Sequence, residues 1–379
     1  MAIAQAPVRL PVFNPTLPNL EDIEDGVRDI LSTGQVTVGK YVAELENAVC
    51  ELTGVRHAVA VSSGTSGLLL LLRALNLRPG SEVITPSFTF AATAQALLWL
   101  GLKPVFCDCE PESFTMDVEV AEILVTERTS AIYPVCVFGV PGDLDAYQRL
   151  ADRYGLILFY DSAQGLGSTY KGKALGNFGV GEVFSLSPTK VVTSLEGGLV
   201  TTNNDEVAEC VRRMRDYGKG PDGQNMISLG LSARMTEFNA LVGCWSLARI
   251  DLWLRNRAII MARYRERLSV VPGISFQKMP DHCISSRNYM VILLDPERSP
   301  ITRDELYERL KEIGIQTKRY FYPALHNQML FRDIDPEAST RLPVTERISA
   351  RSLALPMYSH MSLEQVDYIC DRILELACR

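Results

Sequence analysis

The sequence predicts an α/β protein, with a large unit built on a mostly parallel sheet and a smaller α+β unit after it. Three observations predict this. Between about Glu51 and Asn204, short β-rich runs alternate with stretches of helical period, the spacing that strand–helix–strand crossovers require. Several of those runs are apolar throughout instead of alternating, as strands buried on both faces are. Beyond about Trp245 the texture changes to a long charged helix pattern and a few strands. The expected division is therefore residues 1–250 as the large domain and 251–379 as the small one.

Taken in order, strands are expected at His57–Ser62, Glu82–Pro86, Pro104–Asp108, Ser130–Val137, Leu156–Asp161, Glu182–Leu186 and Leu199–Thr202. Helices fall between them at Thr65–Leu77, Ala91–Leu100, Val118–Val125 and Leu144–Tyr154. The glycines from Gly165 to Gly181 predict an irregular segment before the Glu182 strand. In the second unit, Ile250–Leu268 reads as a long helix whose Arg255, Arg257, Arg263, Arg265 and Arg267 form a solvated face. A strand pair (Ile274–Lys278 and Tyr289–Leu294), a helix (Arg303–Ile313), a strand (Gln316–Phe321) and a closing helix (Leu363–Ala377) complete it.

The chain has 379 residues, 47% hydrophobic and 22% charged, so it holds enough apolar surface to fold and is not a disordered chain. Its net charge is −7 and its pI about 5.3, which argues against a nucleic-acid partner. The most apolar run, Leu68–Leu72, ends at Arg73, far short of a membrane span. The first nine residues lack the basic start and apolar stretch of a secretory leader. Nine cysteines are scattered from Cys50 to Cys378, and the four histidines lie far apart. No zinc-ligand spacing results, so no metal is expected, and reduced thiols in a cytoplasmic protein are the expectation.

Four stretches lie at or just after predicted strand ends, where open α/β sheets bind ligands. Ser62-Ser63-Gly64-Thr65-Ser66-Gly67 can present amides and hydroxyls to a phosphate at a helix N-terminus. It reads equally as a capped helix after a tight turn. Tyr160-Asp161-Ser162-Ala163-Gln164 aims a carboxylate from a strand end, though Asp is also a common turn residue. Phe184-Ser-Leu-Ser-Pro-Thr-Lys190, followed by Glu196-Gly-Gly, places a lysine after a hydroxyl-rich turn. Pro86-Ser-Phe-Thr-Phe90-Ala-Ala-Thr93 offers aromatics for a core or for a planar ring. Together they supply what pyridoxal phosphate needs: a lysine for the Schiff base, a carboxylate for the pyridine nitrogen and donors for the phosphate.

These segments resemble the DegT–StrS nucleotide-sugar aminotransferases, which are fold-type I pyridoxal-phosphate enzymes. Arg234-Met-Thr-Glu, Tyr322-Pro-Ala-Leu-His326 and Leu355-Pro-Met-Tyr fit as well, so the resemblance runs from Gln35 to Met357. It implies that Lys190 carries the cofactor and Asp161 faces the pyridine nitrogen. Gln164 would lie near the ring hydroxyl, and Phe90 would stack on the ring. Gly64, Thr65, Ser66 and Ser185 would hold the phosphate. It also implies a homodimer with shared sites, in which Ser232 (where the family usually has Asn) contacts the neighbouring chain's cofactor. Arg234, Tyr322 and His326 would touch substrate.

The implied reaction moves an amino group from L-glutamate, through pyridoxamine phosphate, to a nucleotide-linked keto sugar. The expected acceptor is C4 of dTDP-4-keto-6-deoxyglucose, in deoxyaminosugar biosynthesis. Two other readings stay open: amination of a cyclitol or aminoshikimate-type ketone, and a non-catalytic regulator that keeps the cofactor pocket.

Overall fold

The computed structural model describes residues 9–377; the start of the chain, read above for a leader, and Cys378 lie outside the described residues. Two four-stranded sheets meet at one interrupted strand, Ile157–Leu158 and Tyr160–Asp161. From one edge the order is Lys103–Cys107, Glu82–Pro86, Thr129–Ile132, then the interrupted strand. Glu182–Ser185, Gly198–Thr202 and His57–Val61 follow. All neighbours are parallel except Gly198–Thr202, which runs antiparallel to both of its own. The strands Glu82–Pro86 and Gly198–Thr202 are buried along their whole length, as the unbroken apolar runs predict.

Helices cover the sheet, and polar caps fix their starts. Asp117, Asp143 and Asn204 each accept backbone N–H bonds in the first turn of the helix they precede. The helices Leu144–Tyr154, Ile250–Leu268 and Leu363–Ala377 have the predicted bounds. The glycine-rich stretch is more ordered than predicted. It forms the hairpin Thr169–Tyr170 and Lys173–Ala174, which pairs with Cys283–Ile284.

The C-terminal part has its own core, around Ile260, Tyr264, Ile292, Leu310 and Ile369. Leu10 belongs to that core, and the chain at Leu10 bridges Ile315. Residues 9–12, assigned by sequence to the first unit, thus add to the last one. The small sheet is antiparallel, ordered Ile274–Phe276, Met290–Leu294, Ser352–Leu355. Gln316–Phe321 is not a strand of it. Its amides are divided between two neighbours, Gln316 N–H bonding Leu10 C=O and Lys318 exchanging bonds with Ala354, so no continuous ladder forms. The third strand is Ser352–Leu355, which the sequence reading missed.

The arginines of Ile250–Leu268 are corrected too. Arg257 is buried and donates to the carbonyls of Arg287 and Asn288 and to Ser359 Oγ. Burial pulls its pKa down to about 10. Arg263 and Arg267 pair with Asp367 and Asp371 on the closing helix. Among the five, Arg255 is the exposed one; the helix uses its cations to dock, a role that one-dimensional spacing does not distinguish from solvation.

Candidate active site

A cavity of about 330 Å³ opens at the C-terminal ends of the parallel strands. Each wall begins where a strand stops. His57–Val61 leads into Ser63, Gly64 and Thr65, and Glu82–Pro86 into Thr89 and Phe90. The interrupted strand delivers Asp161 and Gln164, and Glu182–Ser185 delivers Ser185, Ser187 and Lys190. The roof comes from the C-terminal part, as Tyr289, Lys318, Tyr320 and Phe321.

The phosphate-like end is built by close backbone approach. A Cβ on Gly198 would lie 2.6 Å from Gly64 N and from Ser63 C and O. A Cβ on Gly64 would lie 3.0 Å from Ser185 Cβ. Only hydrogen fits at Gly198, so the Glu196-Gly-Gly segment presses the N-terminus of helix Gly64–Ala74 against the Ser185 turn. That helix end presents amides to the cavity, the ready-made arrangement for an anion. Ser66, expected here, does not line the cavity. Its hydroxyl bonds Ser63 N and Ser62 Oγ and closes a capping box with Ser63, so capping the helix has priority over ligand contact.

Asp161 lies at the other end, 4% exposed. Thr93 Oγ1 donates to its Oδ2 at 2.7 Å, and Ala163 N–H donates to Oδ1 at 3.1 Å. Burial pushes its pKa up, while these two donors and the charge of Lys190 pull it back, leaving it above the usual carboxylate value. A carboxylate at this depth is stabilised as the anion by a cation placed against it, and a protonated pyridine nitrogen is such a cation. Behind it, Ser162 Oγ donates to the buried Glu182 at 2.5 Å. Gln164 Oε1 accepts from Phe138 N–H at 2.9 Å, which fixes the amide orientation at the cavity edge. Phe90 is 61% exposed at the start of helix Ala91–Trp99, free to cover a planar ring. Lys190 Nζ stands 6.0 Å from the centroid of the Tyr289 ring. Anion cradle, buried carboxylate, free aromatic face and lysine in one cavity fit pyridoxal phosphate.

Seven of the expected residues therefore share this cavity: Gly64, Thr65, Phe90, Asp161, Gln164, Ser185 and Lys190. Four others besides Ser66 do not line it. His326 is buried, with Nδ1 at 2.7 Å from Ser87 Oγ and Nε2 at 2.7 Å from Glu346 Oε1, so it ties two segments together. Tyr322 is half exposed and packs on the Arg303 guanidinium at 4.5 Å. Ser232 is exposed, and its backbone bridges Asp216. Arg234 pairs with Asp216 at 3.1 Å and lies over the Tyr217 ring. The sequence reading missed Thr93 as the donor to Asp161, and Tyr289, Lys318 and Tyr320 as walls. Thr93 sits within a quoted motif, but its partner is remote in sequence.

A family model for the DegT/DnrJ/EryC1/StrS aminotransferase family matches residues 19–374. The structure of DesI in the presence of its TDP-sugar product is 33% identical, with a TM-score of 0.89, covering 100% of this chain and 94% of that one. DesV from S. venezuelae is 30% identical at a TM-score of 0.87, covering 96% and 99%. Spr1654 from Streptococcus pneumoniae, solved in its PLP form, is 25% identical at a TM-score of 0.89, covering 98% of each chain. The chain belongs to the DegT/DnrJ/EryC1/StrS aminotransferase family and is a pyridoxal-phosphate-dependent sugar aminotransferase.

Proposed function

We propose that this enzyme transfers the amino group of L-glutamate to C4 of dTDP-4-keto-6-deoxyglucose, and that it works as a homodimer with shared sites. The observation that carries the assignment of roles is the placement of buried Asp161 and Lys190 in one cavity. The likeness to DesI, crystallised in the presence of a TDP-sugar product, supports the nucleotide and the sugar class.

Bound pyridoxal phosphate supplies an electron sink for charge that develops on the carbon losing its proton. Lys190 would hold the cofactor covalently at rest, and its amine, once freed, would take the proton from the donor Cα and later deliver one to the sugar carbon. Asp161 would hold the proton on the pyridine nitrogen, and Thr93 holds Asp161. Gly64, Thr65 and Ser185 would bind the phosphate, Phe90 would cover the ring and Gln164 would lie near its hydroxyl. Tyr289, Tyr320 and Phe321 exclude water above the reacting atoms.

The shared-site proposal rests on the segment from Tyr217 to Arg234. It exposes Tyr217, Met226, Ile227 and Leu229, an apolar set that a second copy would cover. Ser232 and Arg234 on that segment would reach the neighbouring cavity. The test of substrate is mass spectrometry of products from a panel of nucleotide keto sugars with L-glutamate. A product in which an amino group has replaced the keto oxygen of dTDP-4-keto-6-deoxyglucose is expected; turnover confined to a UDP sugar or a cyclitol ketone overturns the proposal.

A further inference from the structure

We infer that Lys318 is the group that binds the carboxylate of the amino donor, an inference that rests on the glutamate-dependent reaction proposed above. Among the described residues of this chain, Lys190 and Lys318 are the cations on the cavity wall. Lys190 is committed to the cofactor. Asp161 and Glu196, the carboxylates on the wall, repel an anionic donor. Within the chain that builds the cavity, Lys318 is therefore the counter-charge for an entering amino acid.

The surroundings of Lys318 are those of a binding group. It is half-buried, and among the described residues no carboxylate lies within ion-pair distance of it. Its ammonium lies over the Phe13 and Tyr320 rings, each centroid 5.3 Å from Nζ. Nζ donates to Tyr320 Oη at 3.2 Å, which leaves further N–H donors for a ligand. The backbone is clamped by paired bonds with Ala354. An ammonium on a cavity wall with no carboxylate partner is available to an anion that enters.

A carboxylate and a diphosphate would meet Lys318 at different distances from the amine. Lys190 Nζ is 6.0 Å from the Tyr289 centroid, and that ring lies 5.2 Å from the Tyr320 ring, beside Lys318. The Tyr289 and Tyr320 rings thus lie between Lys318 and Lys190. The carboxylates of glutamate are bonded close to the carbon that bears the amine. The diphosphate of a sugar nucleotide lies across a whole hexose ring from a reacting C4.

The test uses the holoenzyme and its Lys318→Met and Lys318→Arg variants. Glutarate, a dicarboxylate without an amine, is titrated by calorimetry, as is thymidine diphosphate, and KM and kcat for L-glutamate are measured. Cofactor content by absorbance should be equal in all three proteins. Lys318→Met should weaken glutarate about tenfold or more and raise KM for glutamate in proportion, with a smaller change in kcat. Thymidine diphosphate binding should be unchanged, and Lys318→Arg should restore most of the loss. Unchanged glutarate affinity, absence of glutarate binding by the parent enzyme, or a loss confined to thymidine diphosphate overturns the inference. Lys318-dependent glutarate binding in an enzyme that does not use glutamate would instead overturn the proposed reaction and leave the carboxylate site standing.

Discussion

Thr93 donates its hydroxyl proton to Asp161, Oγ1 to Oδ2, at 2.7 Å in the interior of the large unit. Thr89 Oγ1 lies 2.9 Å from Thr93 Oγ1, so a chain of hydroxyls ends on the carboxylate. The bond favours the ionised form against the burial that opposes it. Thr93→Val removes the donor at nearly constant volume. A bond to a buried charge is worth about 1.5–3 kcal/mol, so kcat/KM should fall about tenfold to a hundredfold. Thr93→Ser should recover most of it. Equal activity in the valine variant would detach Thr93 from the site.

Lys190→Ala and Asp161→Asn test the two ends of the reacting unit separately. The first should lose the borohydride-trappable adduct and all transamination. The second should keep the fold and cut kcat by about a hundredfold or more, the scale of one preorganised electrostatic contact. A change below tenfold, about 1.4 kcal/mol of barrier, would place Asp161 outside the chemistry.

Mixed dimers test the shared site. Lys190→Ala chains combined with Arg234→Ala chains form hybrids in which one pocket carries both defects and the other neither. Activity should return on subunit exchange, because Arg234, with a fork suited to two oxygens, would then serve an intact lysine. Verified heterodimers without recovered activity, or a fully active monomer, would remove the proposed role of Arg234.

Glu182 provides a pH signature. Burial raises its pKa to about 7 from the ordinary 4.5, even though Ser162, Phe178 and Gly176 donate to it. The folded chain therefore binds more protons than the unfolded one between those values. Its favourable contribution is complete below about pH 4.5, declines as pH rises toward 7 and is flat above. A shift of this size corresponds to about 3 kcal/mol. Glu182→Gln keeps an acceptor for the Gly176 and Phe178 amides and a partner for Ser162. Unfolding titrations should show the wild type losing stability relative to this variant across that window. Parallel pH curves would count against a buried, proton-holding Glu182.

The large-unit strands and most of its helices were legible because each is written in local period: apolar runs such as Glu82–Pro86, and helical spacing such as Leu144–Tyr154. Lys190 and Asp161 were legible for a related reason, since each follows a strand end in a short motif that backbone geometry alone aims into the cleft. Choices between equivalent partners were not. Ser66 and Thr65 are adjacent and both hydroxylic, yet one caps its own helix and the other lines the cavity. His326 and Lys318 lie on the same C-terminal approach to the site, yet His326 is taken by Ser87 and Glu346 while Lys318 meets the cavity. Arg257 and Arg255 differ by less than a helical turn, and one is buried under Asn288 and Ser359 while the other is exposed. By itself the sequence determined most elements of the large unit, their order and the strand-end placement of Lys190 and Asp161, because those follow from nearest-neighbour patterning. Only the tertiary structure decided which polar groups are consumed in holding the fold and which remain free for ligand, because each hydrogen-bond donor is satisfied by whatever packing brings to it from remote parts of the chain.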